Sequence, residues 1–277
     1  MSAPHLPETL HGVIGWPLGQ SLSPLVHNTG FRVLGIPAVY LRWEIPPERL
    51  GAFVDALRLL DIRGCSVTIP HKQAVMPFLD VVSERATLAG AANTLYWKDG
   101  ALCGDNTDVA GFLAPLGAEP LDRMDALLLG AGGAAHAVAA ALRLRGCRRV
   151  RVCTPGNRRH LDLAGRFGFT PVAWEERHDL PAGLVINATP LGMHGKTEGE
   201  TPYDFARAPG VPGGIAYDIV YNPARTRFLC EAARAGRRCV NGVEMFFGQA
   251  DAQFRIWTGQ ALPEAARSAL EAALGDR

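Results

Sequence analysis

The sequence predicts an α/β protein of two domains, and three observations support this fold class. Segments of strand length alternate with segments whose apolar residues recur at helical spacing. In the second half, an apolar strand over residues 124–129 runs directly into the glycine-rich segment GAGGAA at 130–135. The chain has 277 residues, of which 48% are hydrophobic, so it is long enough to bury two cores.

The charge balance gives no reason to expect a nucleic acid or a membrane as partner. The 28 basic and 27 acidic side chains leave a net charge of +1, which favours neither a nucleic acid nor an anionic membrane. An uncharged stretch at 126–142 approaches the length of a membrane span, but glycines and His136 interrupt it, so we do not expect it to cross a membrane. We therefore expect a small-molecule ligand.

The first residues, MSAPHLPETLHG, contain no basic segment followed by an apolar core. We therefore expect no signal peptide and a cytoplasmic protein. The six cysteines form no CxxC pair and the histidines are not clustered, which predicts neither a metal site nor a disulfide framework. The sequence leaves the oligomeric state open between a monomer and a homodimer.

The first half of the chain alternates strands and helices. Its predicted strands are 10–16, 39–45 and 64–69, and its predicted helices are 25–34 and 47–60. Ser23 is placed to cap the first helix, with Pro24 at the first helical position, or to bind a ligand. Ser21 lies outside that cap, so capping does not account for it.

The segment SVTIPHK at 66–72 presents a lysine at the end of a strand. Polar and apolar residues alternate up to residue 69, and Pro70 then ends the strand because it has no N–H for a sheet and fixes its own backbone angle. Ligands of α/β sheets bind at the carboxyl ends of the strands, so Lys72 is a candidate for chemistry. The alternative is a solvated surface lysine after a turn.

A hairpin is predicted from residues 93–97 and 101–104 about the turn Lys98, Asp99, Gly100. It leads into GDNTD at 104–108. Asp108 starts the next helix, where it can cap that helix or take part in chemistry.

The segment GAGGAA lies between an apolar strand and a run of helix formers. Its glycines allow a tight turn and the close approach of a pyrophosphate, which then sits at the helix N-terminus with its free N–H groups. The sequence therefore predicts a Rossmann-like, doubly wound dinucleotide-binding domain. The later elements fit this domain: strands 150–154, 171–174, 184–188 and 215–220, helices 158–167 and 225–235, and a short last strand at 238–242.

Two helices, 244–257 and 263–274, end the chain. We expect them to pack on the first domain, so that residues 1–107, completed by 243–277, form a substrate-binding domain and residues 108–242 form the dinucleotide-binding domain. The glycine-rich loop at 192–202 follows a parallel strand, where a mobile flap over the cofactor cleft is expected.

The chain resembles the shikimate dehydrogenase family over almost its whole length. The resemblance is carried by SLSPLVHN at 21–28, VTIPHK at 67–72, GAANT at 90–94, GDNTD at 104–108, GAGGAA at 130–135, NATPLGM at 187–193, DIVYNP at 218–223 and NGVEMFFGQA at 241–250. It implies an enzyme that reduces 3-dehydroshikimate to shikimate with NADPH in aromatic amino acid biosynthesis.

Site residues follow from the same resemblance. It implies that Lys72 and Asp108 are the catalytic pair. It implies that the ligands of the substrate's carboxylate and hydroxyls are Ser21, Ser23, Thr68, Asn93, Tyr221 and Gln249, with Ser66 a further candidate. The cofactor-binding set comprises Gly130, Ala131, Gly132, Gly133, Ala134, Thr154, Arg158, Arg159, Thr189, Gly192, Met193, Ile219 and Gly242.

The chemistry gives the catalytic pair an independent reason. Hydride transfer to a ketone builds negative charge on its oxygen, which an ammonium stabilises and protonates. A free lysine has a pKa of about 10.4, so Lys72 needs positioning more than activation. Asp108 can orient Lys72 and share the proton of the substrate hydroxyl.

Two positions depart from the family's commonest pattern. Ser66 stands where many members carry Asn, so one contact to a ring hydroxyl is lost or is made through water. TPG at 154–156 stands where NADP-binding members read NRT.

Cofactor choice is nevertheless expected to favour NADP. No carboxylate occurs between Asp125 and Asp162, so the acidic residue that holds the ribose of NAD is missing. Thr154, Arg158 and Arg159 are candidates for contact with the 2′-phosphate. Two alternatives remain: a catabolic quinate or shikimate dehydrogenase that uses NAD, and a nucleotide-binding regulator without activity, which Lys72 and Asp108 disfavour.

Overall fold

A computed structural model describes residues 6–19, 21–195 and 197–275. The chain divides into two compact units, Met1–Thr107 with Gln249–Arg277 and Asp108–Gly248. Each unit contains one six-stranded sheet with helices, so the prediction of a two-domain α/β protein is confirmed. Residues 1–5 of the segment that bears on a signal peptide lie outside the described residues.

The sheet of the first unit is mixed. Its strands are β1 (Thr9–Gly15), β2 (Ala38–Glu44), β3 (Gly64–Val67), β4 (Val81–Val82), β5 (Thr94–Lys98) and β6 (Ala101–Asp105). Their order is β2-β1-β3-β5-β6-β4. β1 pairs in parallel with both β2 and β3, whereas β5 runs antiparallel to β3 and to β6. The carboxyl end of β3 therefore lies beside the amino end of β5, which brings two predicted site segments together.

Helices cover this sheet. They are α1 (Ser23–Val33), α2 (Leu50–Leu59), α3 (His71–Ala74), α4 (Glu84–Ala89) and α10 (Glu264–Gly275), with the end of α9 (Gly242–Thr258). One core cluster contains Ile14, Val54, Leu57, Val67 and Leu95, all at most 2% exposed. Burying each such side chain contributes about 1.5–3 kcal/mol, so this cluster holds the strand ends in place.

The predicted hairpin is confirmed. β5 and β6 pair in antiparallel register from Thr94 opposite Asp105 to Lys98 opposite Ala101. The two-residue turn has φ of 51° at Asp99 and 80° at Gly100. Positive φ at both central residues is the geometry that Asp-Gly adopts most easily, so this dipeptide fixes the register of the hairpin.

The sheet of the second unit is entirely parallel. Its strands are β7 (Asp125–Leu129), β8 (Arg149–Cys153), β9 (Thr170–Pro171), β10 (Leu184–Asn187), β11 (Ile215–Asp218) and β12 (Arg238–Val240). Their order is β12-β11-β10-β7-β8-β9, in which the chain starts at β7 and winds first to one side and then to the other. The helices are α5 (Thr107–Leu113), α6 (Gly133–Leu144), α7 (Arg159–Phe167) and α8 (Arg227–Arg234). This is the doubly wound arrangement that the sequence predicts.

Two local predictions are wrong, and two short elements were not predicted. Ser23 does not cap α1: the N-cap is Leu22, Ser23 is already helical, and its N–H meets the hydroxyl oxygen of Ser21 at 3.4 Å. The strand expected at 171–174 is only Thr170–Pro171, because a 3₁₀ turn begins at Trp174. β4 and α4 occupy a stretch for which no element was predicted.

The second domain boundary also differs from the sequence expectation. The sequence predicts that the second domain ends at residue 242, whereas the second unit extends to Gly248. The first turns of α9 pack on α5, since a Cβ at Gly248 would lie 3.1 Å from the Cα of Gly111. The boundary therefore falls inside a helix, where no helix-breaking residue marks it.

None of the helices among the described residues combines the length and the apolar composition that a membrane span requires. The same residues contain no group of three or more His, Cys, Asp or Glu side chains that could hold a metal ion. All six cysteines are free thiols.

Candidate active site and nucleotide-binding segments

The segment after β3 positions Thr68 and Lys72. The N–H of Thr68 donates to the Ile14 carbonyl at 2.9 Å, and the Thr68 carbonyl accepts the N–H of His71 at 2.9 Å. The peptide bond before Pro70 is cis, and the short helix α3 follows at once. The Lys72 carbonyl accepts the N–H of Ala92 at 2.8 Å, so the backbone of Lys72 is tied to the residue before Asn93.

His71 anchors this segment. Its ring is 1% exposed, and its Nε2 lies 2.6 Å from the Ile45 carbonyl. Lys72, one residue later, is half-buried. Because His71 fixes the start of α3, the backbone of Lys72 is held shortly after the carboxyl end of β3.

Asn93 is the acceptor at the centre of a buried cluster. Its Oδ1 accepts the N–H of Thr107 at 2.7 Å, the Thr94 hydroxyl at 2.8 Å and the Thr107 hydroxyl at 3.1 Å. All three residues are at most 2% exposed. The cluster holds the start of β5 against the start of α5. It also fixes the orientation of the Asn93 amide, with Oδ1 toward Thr94 and Thr107.

Ser66 lies beside this cluster, and two residues that sequence reasoning missed connect it to the rest of the unit. The Tyr40 hydroxyl and Ser66 Oγ are 2.6 Å apart, and Ser66 Oγ lies 2.8 Å from Gln253 Oε1. Burial raises the pKa of Tyr40 well above its usual value, against hydrogen bonds with Ser66 and Ser23. Ser23 and Ser66 therefore meet the same tyrosine.

Asp105 fixes the GDNTD segment. Its carboxylate accepts the Ser83 hydroxyl at 2.6 Å, the Asn106 N–H at 2.6 Å and both Nε and Nη2 of Arg85. Burial alone would raise the pKa of Asp105, but hydrogen bonds from Arg85 and Ser83 outweigh it and the pKa lies below its usual value. Asp108 follows in the first turn of α5 and is 9% exposed, in the second unit.

In the second unit, the N-terminus of α6 is shaped for a ligand. Gly132 is the N-cap and no side chain caps the helix. An ideal Cβ at Gly132 or Gly133 would meet no atom within 4 Å, so space stands open beside the first-turn N–H groups. Ala131 is buried beneath this turn and Ala134 is half-buried. Free N–H groups and the helix dipole favour an anion here.

The end of β8 presents two arginines. Arg158 and Arg159 are exposed at the start of α7, where the Arg159 N–H donates to Asn157 Oδ1 at 3.0 Å. The Thr154 hydroxyl donates to the Asn157 carbonyl at 2.7 Å, and His160 Nδ1 lies 2.8 Å from the same hydroxyl oxygen. Thr154 therefore closes the turn that carries the arginines, a role that its position in the sequence did not indicate.

The loop after β10 is organised by Asn187. Its Oδ1 accepts the hydroxyl of Thr189 at 2.7 Å, and its Nδ2 donates to the Leu191 carbonyl and to Asp218 Oδ1, each at 3.0 Å. Gly192 has φ of +92° and donates its N–H to the Thr197 carbonyl at 2.9 Å, and the Met193 side chain is 49% exposed. The loop expected to be a flap is thus closed by its own hydrogen bonds, and its mobility stays a prediction.

Asp218 ties this loop to α8. Its Oδ2 accepts the hydroxyl of Thr226, the N-cap of α8, at 2.6 Å. Burial raises the pKa of Asp218 to about 7, against hydrogen bonds from Thr226, Val220 and Asn187. None of these four residues was singled out from the sequence. The available signal was the two motifs NATP and DIVYNP, whose first residues, Asn187 and Asp218, are buried polar residues at the ends of the adjacent strands β10 and β11.

The segment after β11 carries Ile219 and Tyr221. The Ile219 N–H donates to the Asn187 carbonyl at 3.0 Å, and the Tyr221 ring lies 5.2 Å from that of Phe246. A Cβ at Gly242 would clash with the backbone of Val220, so only glycine lets α9 begin here. Gln249 is half-buried in α9 and is the first residue that returns to the first unit.

Comparisons with known proteins decide the family. The family model described as the shikimate dehydrogenase substrate binding domain matches residues 13–95. A shikimate dehydrogenase (NADP(+)) of Oleidesulfovibrio alaskensis is 53% identical over 98% of this chain and 97% of that protein. One of Pelobacter propionicus is 52% identical over 96% of both. This chain belongs to the shikimate dehydrogenase family.

A solved structure agrees with this. The shikimate 5-dehydrogenase of Thermus thermophilus, in complex with NADP(H) and shikimate, is 37% identical and superposes with a TM-score of 0.85, covering 96% of this chain and all of that one. As a shikimate dehydrogenase family member, the chain has the expected α/β architecture.

Proposed function

We propose that this chain catalyses the reversible, NADPH-dependent reduction of 3-dehydroshikimate to shikimate. The observation that carries the proposal is the likeness to NADP(+)-dependent shikimate dehydrogenases over 98% of the chain at 53% identity. The family and the activity expected from the sequence are confirmed by these relatives. The step belongs to aromatic amino acid biosynthesis.

The residues of the second unit fit a dinucleotide. The open space at Gly132 and Gly133, beside an uncapped helix N-terminus, suits a pyrophosphate. We assign contact with the nicotinamide half of the cofactor to residues that follow β10 and β11: Thr189, Gly192, Met193, Ile219 and Gly242. We assign contact with the 2′-phosphate to Arg158 and Arg159. When bound, NADPH supplies the hydride.

Lys72 and Asp108 are assigned the proton chemistry. The Lys72 ammonium stabilises the charge that develops on the substrate oxygen and delivers a proton to it. Asp108 orients the Lys72 ammonium and shares the proton of the substrate hydroxyl. Lys72 is held by the anchored helix α3, and Asp108 by the pinned GDNTD segment, so both side chains start from fixed backbone positions.

Substrate recognition is assigned to hydroxyl and amide side chains. Such groups donate and accept hydrogen bonds, which suits a polyhydroxylated ring that carries a carboxylate. The proposed set is Ser21, Ser23, Ser66, Thr68, Asn93, Tyr221 and Gln249. Six of these seven residues lie in 1–107 or 243–277, to which we assign substrate binding; Tyr221 lies in residues 108–242, to which we assign dinucleotide binding.

Location and assembly complete the proposal. Six free thiols are typical of a reducing compartment, so we place the protein in the cytoplasm. We expect it to act as a monomer or a homodimer.

Steady-state assays test the function directly. The purified chain is assayed with shikimate and with quinate, each with NADP and with NAD. The proposal requires the highest kcat/KM with shikimate and NADP. A preference for quinate or for NAD supports a catabolic dehydrogenase instead, and no turnover with any pair supports a regulator that binds nucleotide without chemistry.

A further inference from the structure

A continuous chain of hydrogen bonds crosses the first unit from Tyr40 to Asn93. Ser66 Oγ lies 2.6 Å from the Tyr40 hydroxyl and 2.8 Å from Gln253 Oε1. Gln253 Nε2 lies 3.1 Å from the Asn93 carbonyl and 3.0 Å from Thr94 Oγ1. Thr94 Oγ1 in turn lies 2.8 Å from Asn93 Oδ1. We call these residues the Gln253 chain; each is at most 6% exposed.

One backbone carbonyl fixes the direction of the whole chain. The Asn93 carbonyl only accepts, so the Gln253 atom that faces it must be the NH2 group. Oε1 of Gln253 then faces Ser66, which must donate its single hydroxyl proton to it. Because Ser66 has no second proton, Tyr40 must donate to Ser66. The proton of Ser66 is therefore committed to Gln253.

The other end of the chain is fixed in the same way. The second N–H of Gln253 donates to Thr94 Oγ1, so Thr94 passes its own proton on to Asn93 Oδ1. The backbone N–H of Thr107 also points at this atom from 2.7 Å, which requires it to be the amide oxygen. The NH2 group of Asn93 is thereby turned to the opposite edge of the amide.

We propose that Gln253 is a positioning residue that sets the hydrogen-bonding polarity of Ser66 and Asn93 toward the substrate. Ser66 then meets a ring hydroxyl only as an acceptor, whereas Asn93 meets an oxygen of the ring as a donor. This deepens the proposed function and rests on the binding of shikimate by the same residues. It also gives serine at position 66 a role, because the shorter side chain leaves room for the Gln253 amide.

The geometry explains why Gln253 affects binding more than turnover. Its amide joins β3 and β5 through Ser66 and Thr94, neighbours on paired strands. Lys72 belongs to a different set of contacts, through His71 and Ala92. Loss of the Gln253 amide therefore disturbs groups that hold the ring equally in the ground state and the transition state, which raises KM with little change in kcat.

The test replaces Gln253 by an apolar side chain of similar length. In the full-length Gln253→Met variant, we expect the KM for shikimate to rise at least fivefold and kcat to stay within threefold of the parent. The matched control is Trp97→Phe, which removes the indole hydrogen bond to the Ile62 carbonyl in the same unit and involves no member of the Gln253 chain. We expect the control to lower the melting temperature while its KM for shikimate stays within twofold.

A mutant cycle decides whether Gln253 acts through Ser66 and Asn93. The variant with both Ser66→Ala and Asn93→Ala, the Gln253→Met variant and the combined variant are compared by the dissociation constant for shikimate without cofactor. If Gln253 acts through these two residues, its replacement adds less than twofold once both are alanine. Independent, multiplicative effects, or an unchanged KM in Gln253→Met, overturn the inference.

Two further outcomes are distinguished. If Gln253→Met does not fold, Thr94→Val carries the test, because it removes the hydroxyl that links Gln253 to Asn93 at a residue outside the proposed substrate set; a KM within twofold of the parent then overturns the inference. If the parent itself neither binds nor turns over shikimate, the proposed function fails and the inference fails with it. If the parent is active and the variants keep the parent's KM for shikimate, the inference is overturned while the proposed function stands.

Discussion

Gly130 approaches Ala188 so closely that a Cβ at position 130 would lie 2.6 Å from the Ala188 carbonyl oxygen. Gly130 also has φ of +110°, a conformation that other residues rarely adopt. Gly132, two residues later, has an ordinary backbone and open space in the direction of a side chain. The first glycine of the motif is thus required by the fold, and the second leaves room for a ligand.

These two glycines predict opposite phenotypes for the same substitution. Gly130→Ala should lower the melting temperature, since strained backbone costs roughly 1–3 kcal/mol before the clash with Ala188 is counted. Gly132→Ala should leave the melting temperature nearly unchanged but weaken NADP binding at least tenfold. Thermal unfolding and cofactor titration measure the two effects. NADP binding by Gly132→Ala at the strength of the parent would show that no phosphate occupies this space.

Lys72→Ala should lower kcat by roughly 100- to 10,000-fold, the usual effect of losing a general acid or base. The KM for shikimate should change only modestly, because the ammonium matters most when charge develops on the substrate oxygen. Lys98→Ala is the matched control, as this exposed lysine belongs to the hairpin turn. A raised KM with near-normal kcat would instead make Lys72 a binding residue.

Much of the fold follows from local patterns. The turn at Asp99 and Gly100 and the passage from β7 into α6 each rest on a few adjacent residues whose backbone preferences agree with the final structure. The strand expected at 171–174 failed for the opposite reason. Apolar residues there have a strand-like pattern, but the Trp174 ring packs 4.1 Å from the Arg177 guanidinium within a 3₁₀ turn.

The site was less predictable where it depends on contacts between distant segments. Asn93 and Asp108 lie in motifs that mark them. Gln253 lies 187 positions after Ser66, and its one visible feature is to be a polar residue on an apolar face of the last long helix. No local rule indicates that a glutamine there completes a hydrogen-bond chain begun by Tyr40, because that depends on how β2, β3 and α9 pack.

Two buried histidines make the protein sensitive to acid. Burial, together with the charge of Arg63, lowers the pKa of His11 to about 4, and burial lowers that of His27 to about 3. In the unfolded chain both titrate near 6.5. Between pH 6.5 and pH 4 the unfolded state binds more protons, so the free energy of unfolding falls as the pH falls, by about 1.4 kcal/mol per pH unit for each histidine.

Asp218 opposes this trend. Its pKa is raised to about 7 in the fold, so the folded state holds a proton that the unfolded state releases above its ordinary value of 3.8. The stabilisation that Asp218 gains on acidification offsets the destabilisation from one of the two histidines. We therefore expect the free energy of unfolding still to fall as the pH falls. Urea unfolding at pH 6.5, 5.5 and 4.5 measures it. His27→Phe should flatten the slope, and a slope unchanged in that variant would exclude His27 as a cause.

The last prediction concerns the choice of NADP over NAD. Arg158 and Arg159 are both exposed at the N-terminus of α7, where the helix dipole disfavours positive charge. The turn that presents them is closed by the Thr154 hydroxyl and by the Asn157 side chain, which donate and accept at 2.7 Å and 3.0 Å. Two guanidinium groups held against the dipole are best accounted for by a bound phosphate, with which each can pair through two N–H groups.

Replacing both residues by alanine should therefore lower kcat/KM for NADP at least tenfold and leave the value for NAD within threefold. Only the 2′-phosphate of NADP distinguishes the two cofactors, so a general disturbance of the nucleotide site would lower both values together. The control is the double variant Arg143→Ala with Arg148→Ala, which removes the same charge from exposed positions away from this turn. If the NADP preference survives in Arg158→Ala with Arg159→Ala, or if the control loses it equally, the arginines at the end of β8 do not read the 2′-phosphate.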